Sequence, residues 1–275
     1  HLSIRRQRQM CIRDSSIPGL LVQSVVLAWF FRAFSRLKDF RALFPLALLG
    51  QASNVLLDLT NSWGTMFLWP FSTRWYSLDL IAIADPFVWA ILAAGLAGGV
   101  LRAGRSVRAN RAALGLLVAY CFGCLASRTV AKARFRDALE RVRAAPRRVE
   151  AYPQLFSPLR WNLIGFGADR YYQGFVHALE GLEGRLRVFS KVPLPQSLAG
   201  PFAEKFHRRA AAPLVRPLAG EKGDAAGLCD LKYLGRKEGM PFVVKLYVDF
   251  SGRQAHQWLG WNIAPPAAEQ EYELR

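Results

Sequence analysis

Histidine, cysteine and acidic residues are all scarce in this sequence of 275 residues, and each scarcity narrows what the chain can do. The four histidines are His1, His177, His207 and His256, and none sits at metal-ligand spacing with another. The last three therefore read as surface or packing residues. The cysteines are Cys11, Cys121, Cys124 and Cys229. Cys121 and Cys124 form a C-x-x-C inside the apolar run "LGLLVAYCFGCLAS", with no second pair at zinc spacing, which reads as small buried helix residues. Against 37 Lys and Arg there are 20 Asp and Glu, a net charge of +17. That charge carries no nucleic-acid recognition motif with interleaved aromatics, so nucleic acid is set aside as a partner. No internal repeat is visible.

What the sequence has in abundance is apolar surface. Hydrophobic residues make up 52% of the chain beside 21% charged, and the two are segregated. Long apolar runs fill residues 17–127, and the charges crowd the gaps between them and the C-terminal half. Lys and Arg placed this way set topology and meet anionic headgroups, so the bilayer is the first expected partner. Four spans are expected: Ile17 to Phe31, Leu43 to Leu59, Leu78 to Leu101 (the strongest) and the short Ala112 to Ser127. The loops 32–42 and 102–111 carry four Lys or Arg each, whereas 60–77 has only Arg74. The positive-inside bias puts the first two in the cytoplasm and the aromatic-rich third outside. Parity then puts the C-terminal half outside, although its heavily basic beginning argues the other way. The opening "HLSIRRQRQMCIRDS" has neither signal-peptide nor transit-peptide architecture. It closely resembles the translation of sequencing-adaptor read-through. Residues 1–15 are therefore expected to be a non-native leader, with native sequence from Ser15 or Ser16.

The expected organisation is a helical membrane region at 16–127, a basic helical connector at 128–149 and a strand-rich C-terminal domain of α+β or mostly β class at 150–275. The connector reads as a helix continuing from the last span and stopping before Pro146. Beyond it "RLRVFSKV", "GLCDLKYLG", "PFVVKLYVDF" and "AHQWLGWNI" show strand-like composition bounded by Gly and Pro, and "VDFSGRQ" reads as a hairpin turn. Asp230 with Lys232, and Asp249, read as strand-end and turn residues.

One polar pattern stands out against the apolar background. In "LGQASNVLLDLTNSWGT", Gln51, Asn54, Asp58 and Asn61 are spaced three, four and three apart, which places them on one helix face. Polar groups at lipid depth need protein, a cavity or an ion to face. Asp79 and Asp85 stand on the next expected span. Helix–helix hydrogen bonding could account for the stripe; four aligned polar residues with carboxylates nearby favour a site.

The run "NVLLDLTNSWGTMFLWPFSTRWYSLDLIAIADPFVWAIL" resembles the core of the YdjM-type family of membrane-bound, metal-dependent hydrolases. Asp58 matches the Asp of that family's His-x-x-x-Asp helix, Gly64 and Thr65 its turn, Pro70 to Ser72 its Pro-Phe-Ser, and Asp85 with Pro86 its last element. "SPLRWNL", "CDLKY" and "PFVVKLYVDFSG" resemble the family's tail, so the likeness runs from about Ser16 onward. It implies a multi-pass protein of the bacterial inner membrane with a bound divalent metal, Zn or Mn. That metal would activate water against a phosphoester or lipid-like substrate, as in the zinc-dependent phospholipase C and P1-nuclease group. Asp58 would be a ligand or the base orienting the water, and Asp85 a second ligand or its support. Asn54 stands where the family has its ligating His, and Asn is the poorer ligand. The family's upstream Thr-His-Ser motif would end at Ser16–Pro18, so its histidines would fall before the matching sequence. Gln51, Asn61 and Asp79 would surround the ligands. Arg74 would meet a substrate phosphate, unless it is a snorkelling anchor, the commoner role. Arg160 and Trp161 match the tail without a chemical role. The competing expectation is a non-catalytic integral membrane protein that uses the stripe for packing or partner binding. Oligomeric state is left open.

Overall fold

The computed structural model describes residues 16–34, 36, 38–62, 64–101, 106–194, 196–217, 225–233, 244–248, 254–258 and 270–273. The chain divides into two units, residues 1–121 and 122–275.

The first unit is helical. Helix α1 (Ile17–Phe34) and α2 (Phe40–Thr60) are joined by a turn whose polar residues close both helix ends. Lys38 donates through Nζ to the last carbonyls of α1, Arg32 O at 2.9 Å and Ala33 O at 3.2 Å, where a cation also complements the helix dipole. Asp39 accepts from Arg41 N–H at 2.9 Å and caps α2. Helix α3 (Pro86–Leu101) and α4 (Ser106–Arg141) follow. They approach closely at small residues: a Cβ on Gly95 would come within 2.7 Å of Ala113 Cβ, and one on Gly98 within 2.9 Å of Ala109 Cβ. Helices without a hydrophobic drive between them associate through such contacts. Large apolar side chains such as Leu49, Leu56, Trp89, Leu96 and Leu114 stay exposed, as lipid-facing surfaces must. Among the described residues, three helices are long and apolar enough to cross a membrane: Ile17–Phe34, Phe40–Thr60 and Val107–Arg141.

Two expectations need correcting here. Residues 78–85 are not helical, and the span expected over 78–101 shrinks to the 16 residues of α3. Pro86 has no N–H to continue a helix behind it and suits the first helical position, so the helix starts at that residue. The basic segment 102–111 is also not wholly a loop, because α4 begins at Ser106. Its good helix formers extend the span backwards.

In the second unit α4 continues as an amphipathic helix. Cys124, Ser127, Ala131, Phe135, Ala138 and Leu139 are buried at three- and four-residue spacing, with Arg134, Arg136 and Asp137 outward. The strands β1 (Arg148–Gln154), β2 (Ser157–Phe166), β3 (Arg170–His177) and β4 (Gly181–Ser190) form an antiparallel meander. Helix α4 lies on this sheet. Trp161 Nε1 donates to Ser127 Oγ at 2.9 Å, and a Cβ on Gly174 would come within 2.7 Å of the Phe135 ring. The exit loop of β4 leads to α5 (Pro201–Arg209), then to β5 (Pro213–Pro217), β6 (Ala225–Asp230), β7 (Val244–Val248) and β8 (Gln254–Trp258), a second antiparallel sheet. The last strand, β9 (Gln270–Glu273), returns to pair with β4. Tyr152, Ile164, Tyr171 and Phe189 of the first sheet share a core with Leu214, Cys229 and Leu231. Phe202, Ala203 and Phe206 of α5 pack with Val215, Ala226 and Leu228 on another cluster. The C-terminal unit is thus mostly β, with strands at each of the four segments expected from composition.

Candidate functional site

Helix α2 ends where the polar stripe ends, and the chain folds back on that end. Thr60 is the last helical residue and Asn61 is extended. The returning segment is sewn on by Leu78 N–H to Leu59 O at 2.7 Å, Leu80 N–H to Thr60 O at 2.8 Å and Ile81 N–H to Thr60 O at 3.0 Å. Orphan carbonyls at a helix C-terminus must find donors, and here a strand-like return supplies them. Farther out, Thr65 and Tyr76 exchange two hydrogen bonds of 2.9 Å. Gly64 makes this possible: its φ is +74°, and a Cβ there would lie 2.9 Å from Tyr76 O. Ile17 N–H donates to Phe67 O at 2.9 Å, tying the start of α1 to the same connector.

The expected site residues fall into two groups. Asp58 is half-buried on α2, and its Oδ1 accepts from Asn61 Nδ2 at 3.5 Å. Asn61 Oδ1 in turn accepts from Gly64 N–H at 3.3 Å, so the stripe leads directly into the turn. Ser62 Oγ is buried beside them with no partner among the described residues. Gln51 is half-buried and Asn54 is exposed, so the stripe is not uniformly covered. Asp79 is half-buried at φ +49°, a region Asp tolerates better than most residues.

Asp85 belongs to the other group. It is buried, and its Oδ1 accepts from Phe87 N–H at 2.9 Å and Val88 N–H at 3.3 Å. These are the second and third residues of α3, the N-cap geometry. Its Oδ2 accepts from Tyr120 Oη at 2.7 Å. Tyr120 was not foreseen, although a phenol inside the apolar run "LLVAYCFG" needs a polar partner and could have pointed to it. Arg74 is exposed, with its guanidinium 5.7 Å from the Tyr76 ring centre, the setting of an interfacial anchor.

The metal implied by the resemblance can be tested against these donors. Both Asp85 oxygens are engaged with the α3 N-terminus and Tyr120. Asn54 is exposed and is a weak ligand in any case. Among the described residues no group of three or more His, Cys, Asp or Glu is placed to hold a metal ion. Asn54 and Asp85 therefore do not fit a metal centre as they are placed, which leaves Asp58 alone of the three with open acceptor positions, and no chemical step is routed through a metal below. His177 Nδ1 accepts from Glu180 N–H at 3.3 Å, a turn contact, and His207 is exposed on α5. His1, Asp249 and the side chain of His256 lie outside the described residues.

Arg160 and Trp161, for which the sequence offered no role, are structural. Arg160 Nε pairs with Glu183 at 3.1 Å, and Trp161 joins β2 to α4. Asp230 closes β6 as expected, and its carboxylate accepts from Ala211 N–H at 2.8 Å, Ala212 N–H at 2.9 Å and Lys232 N–H at 3.1 Å. Burial pushes this carboxyl above the usual carboxylate range, against those three donors and Lys232, which draw it down.

Apolar helices of spanning length followed by a mostly antiparallel β region define a multi-pass membrane protein. Residues 16–135 match the family model described as YdjM inner membrane protein, which gives the inner membrane as its location. The chain is also similar to the uncharacterized protein YfhP of Bacillus subtilis (strain 168). The two are 25% identical over 270 residues, covering 94% of this chain and 79% of the relative. No solved structure matches it.

Proposed function

We propose that this protein is a four-span hydrolase of the bacterial inner membrane that acts on a phosphoester or lipid-like substrate, with Asp58 as its working carboxylate. The contrast between two aspartates carries this reading. Asp85 is saturated by the α3 N-terminus and Tyr120, whereas Asp58 has one long hydrogen bond, from Asn61, among the described residues. A carboxylate kept on a membrane helix with open acceptor positions marks a functional site by default. As a general base it would take a proton from a water attacking a phosphoryl or acyl centre, a contribution of about 10²–10⁴ in rate. Gln51, Asn61 and Asp79 would order that water, and Arg74 would meet an anionic group at the interface. A divalent ion, Zn or Mn, would have to draw on donors other than Asn54 and Asp85. The fourth span in this reading is α3, about 24 Å long against a ~30 Å core, which keeps both basic loops on one side.

The test is hydrolysis of a panel of phosphodiesters and lipid esters by the purified full-length protein, with metal content measured by elemental analysis in parallel. Asp58→Asn should lose at least about 100-fold in rate while Asp85→Asn keeps most of it. Equal rates in Asp58→Asn and wild type would remove the assignment.

A second reading rests on Asn54. This polar side chain is exposed on a spanning helix, and such a group in lipid needs a partner. A non-catalytic membrane protein would use it to bind another helix, and cross-linking from Asn54→Cys would report that contact.

A further inference from the structure

Among the described residues of the C-terminal unit beyond α4, the three most exposed large apolar side chains share one end of the first sheet, whereas Val192 and Tyr272 elsewhere are only 39% and 36% exposed. Leu155 and Phe156, at the tip between β1 and β2, are 51% and 69% exposed, and Leu179, at the tip between β3 and β4, is 67% exposed. In an antiparallel meander alternate tips fall on the same edge. Ala178 N–H donates to Leu159 O at 2.8 Å and draws these two together. The other end, the turn at 167–169 between β2 and β3, carries Gly167, Ala168 and Asp169 instead.

Helix α4 shows which way the apolar end faces. Ser127 Oγ donates to Pro158 O at 2.8 Å and accepts from Trp161 Nε1, while Phe135, two turns on, meets Gly174 in the middle of β3. The helix therefore runs along the sheet from the apolar tips toward the polar turn. Phe156 lies two residues beyond Pro158, about 7 Å along the strand. Five residues back along α4 from Ser127, also about 7 Å, is Phe122. At that level Phe122 and Leu125 are exposed, and they belong to the apolar run that ends at Ser127. The exposed tips thus continue the lipid-facing surface of a membrane-spanning helix. Around them stand Arg160, exposed and paired with Glu183, and Arg134, whose guanidinium would be 3.5 Å from a Cβ on Gly181. Glu180 is exposed beside Leu179, so charges of both signs stand around the tips.

We infer that Leu155, Phe156 and Leu179 dip into the bilayer, making the β1–β2 and β3–β4 tips a membrane-docking edge of the C-terminal unit. The occupant is lipid, because the surface is continuous with the apolar face of α4. Apolar side chains inserted at the headgroup–acyl boundary with cations above them are the usual makeup of an interfacial anchor.

The test uses the unaltered full-length protein in phosphatidylethanolamine/phosphatidylglycerol vesicles doped with a phospholipid carrying a diazirine on its acyl chain. After illumination, adducts are mapped by peptide mass spectrometry. Adducts are expected on the Leu155–Phe156 and Leu179 peptides at a yield comparable with Phe122–Leu125, and absent from the turn at 167–169. Adducts on Phe122–Leu125 with none at the tips would overturn the proposal. They would mean that water, a second copy or another protein covers the edge. Equal labelling of the 167–169 turn would overturn it too, since that outcome is nonspecific.

Discussion

The two units handle carboxylates in opposite surroundings, and Asp85 and Asp230 show how alike the solutions are. In the helical unit Asp85 sits where lipid offers no hydrogen bonds, and in the β unit Asp230 sits in a core that excludes water. Both accept from backbone N–H groups at the start of a local element: Phe87 and Val88 for one, which also takes the Tyr120 hydroxyl, and Ala211, Ala212 and Lys232 for the other. Both are buried, and both are spent on architecture. Asp58 differs from the two in having kept its acceptor capacity. Burial of a carboxylate therefore does not by itself mark a site here, and the role proposed for Asp58 rests on its being half-buried without backbone partners.

The comparison breaks most visibly at Asp230. Asp230→Ala strands three N–H donors, two of them in the core with Leu214 and Leu231. It should cost about 3 kcal/mol or more, since each buried donor left unpaired costs ~1–3 kcal/mol. The melting temperature of the purified protein by circular dichroism should fall accordingly. Asp230→Asn should cost less, because one oxygen remains for Ala212 and Lys232. The pair also sharpens the electrostatics. Burial holds the Asp230 carboxyl above the usual range, so the folded chain binds this proton more tightly than the unfolded chain does. Stability from this group is then lost as pH rises through the raised value and is fully present below the unfolded value near ~4. Wild type should gain on Asp230→Asn as pH falls through that window, and melting curves across it that stay parallel would remove the assignment. Packing gives the next effect. Gly174→Val would drive a side chain into Phe135 and Leu182, 2.7 and 2.8 Å from the Cβ position, and should cost about 1–3 kcal/mol by overpacking.

What could be read beforehand follows the same division. The helical unit announces itself because lipid demands uninterrupted apolar runs, and α1, α2 and α4 follow them. The start of α3 was missed because "LDLIAIA" is as apolar as the helix behind it. What ends the helix there is the missing N–H of Pro86 and the cap of Asp85, effects of single atoms that hydropathy does not register. In the β unit, "RLRVFSKV" and "PFVVKLYVDF" alternate visibly, whereas β1 to β3 carry Pro153, Pro158 and charged residues and were not recognised as strands. Their pairing is specified by contacts distant in sequence: Trp161 with Ser127, Gly174 with Phe135, and Asn162, which donates to Leu231 O at 3.0 Å. The polar stripe was legible as a helix face for Gln51, Asn54 and Asp58, because period fixes face, whereas Asn61 is extended just past the last helical residue. Which of its members would be covered was not, since Asn54 is exposed because none of the described elements covers it.

Asp85 offers the smallest predicted effect and the most direct separation of architecture from chemistry. As an N-cap it needs one oxygen facing Phe87 and Val88 N–H, and Asn supplies that as well as Asp does. Asp85→Asn should therefore leave stability within about 0.5 kcal/mol of wild type, less any weakening of the Tyr120 contact. Asp85→Ala should cost ~1–2 kcal/mol. Tyr120→Phe should cost about 1 kcal/mol by removing one hydrogen bond, and adding it to Asp85→Ala should cost little more, because both delete the same interaction. A residue whose work was to bind a cation or a substrate would show the reverse order. Asn would then be as damaging to activity as Ala, with stability hardly changed by either. Thermal melts and hydrolysis rates on the same three variants separate the two patterns.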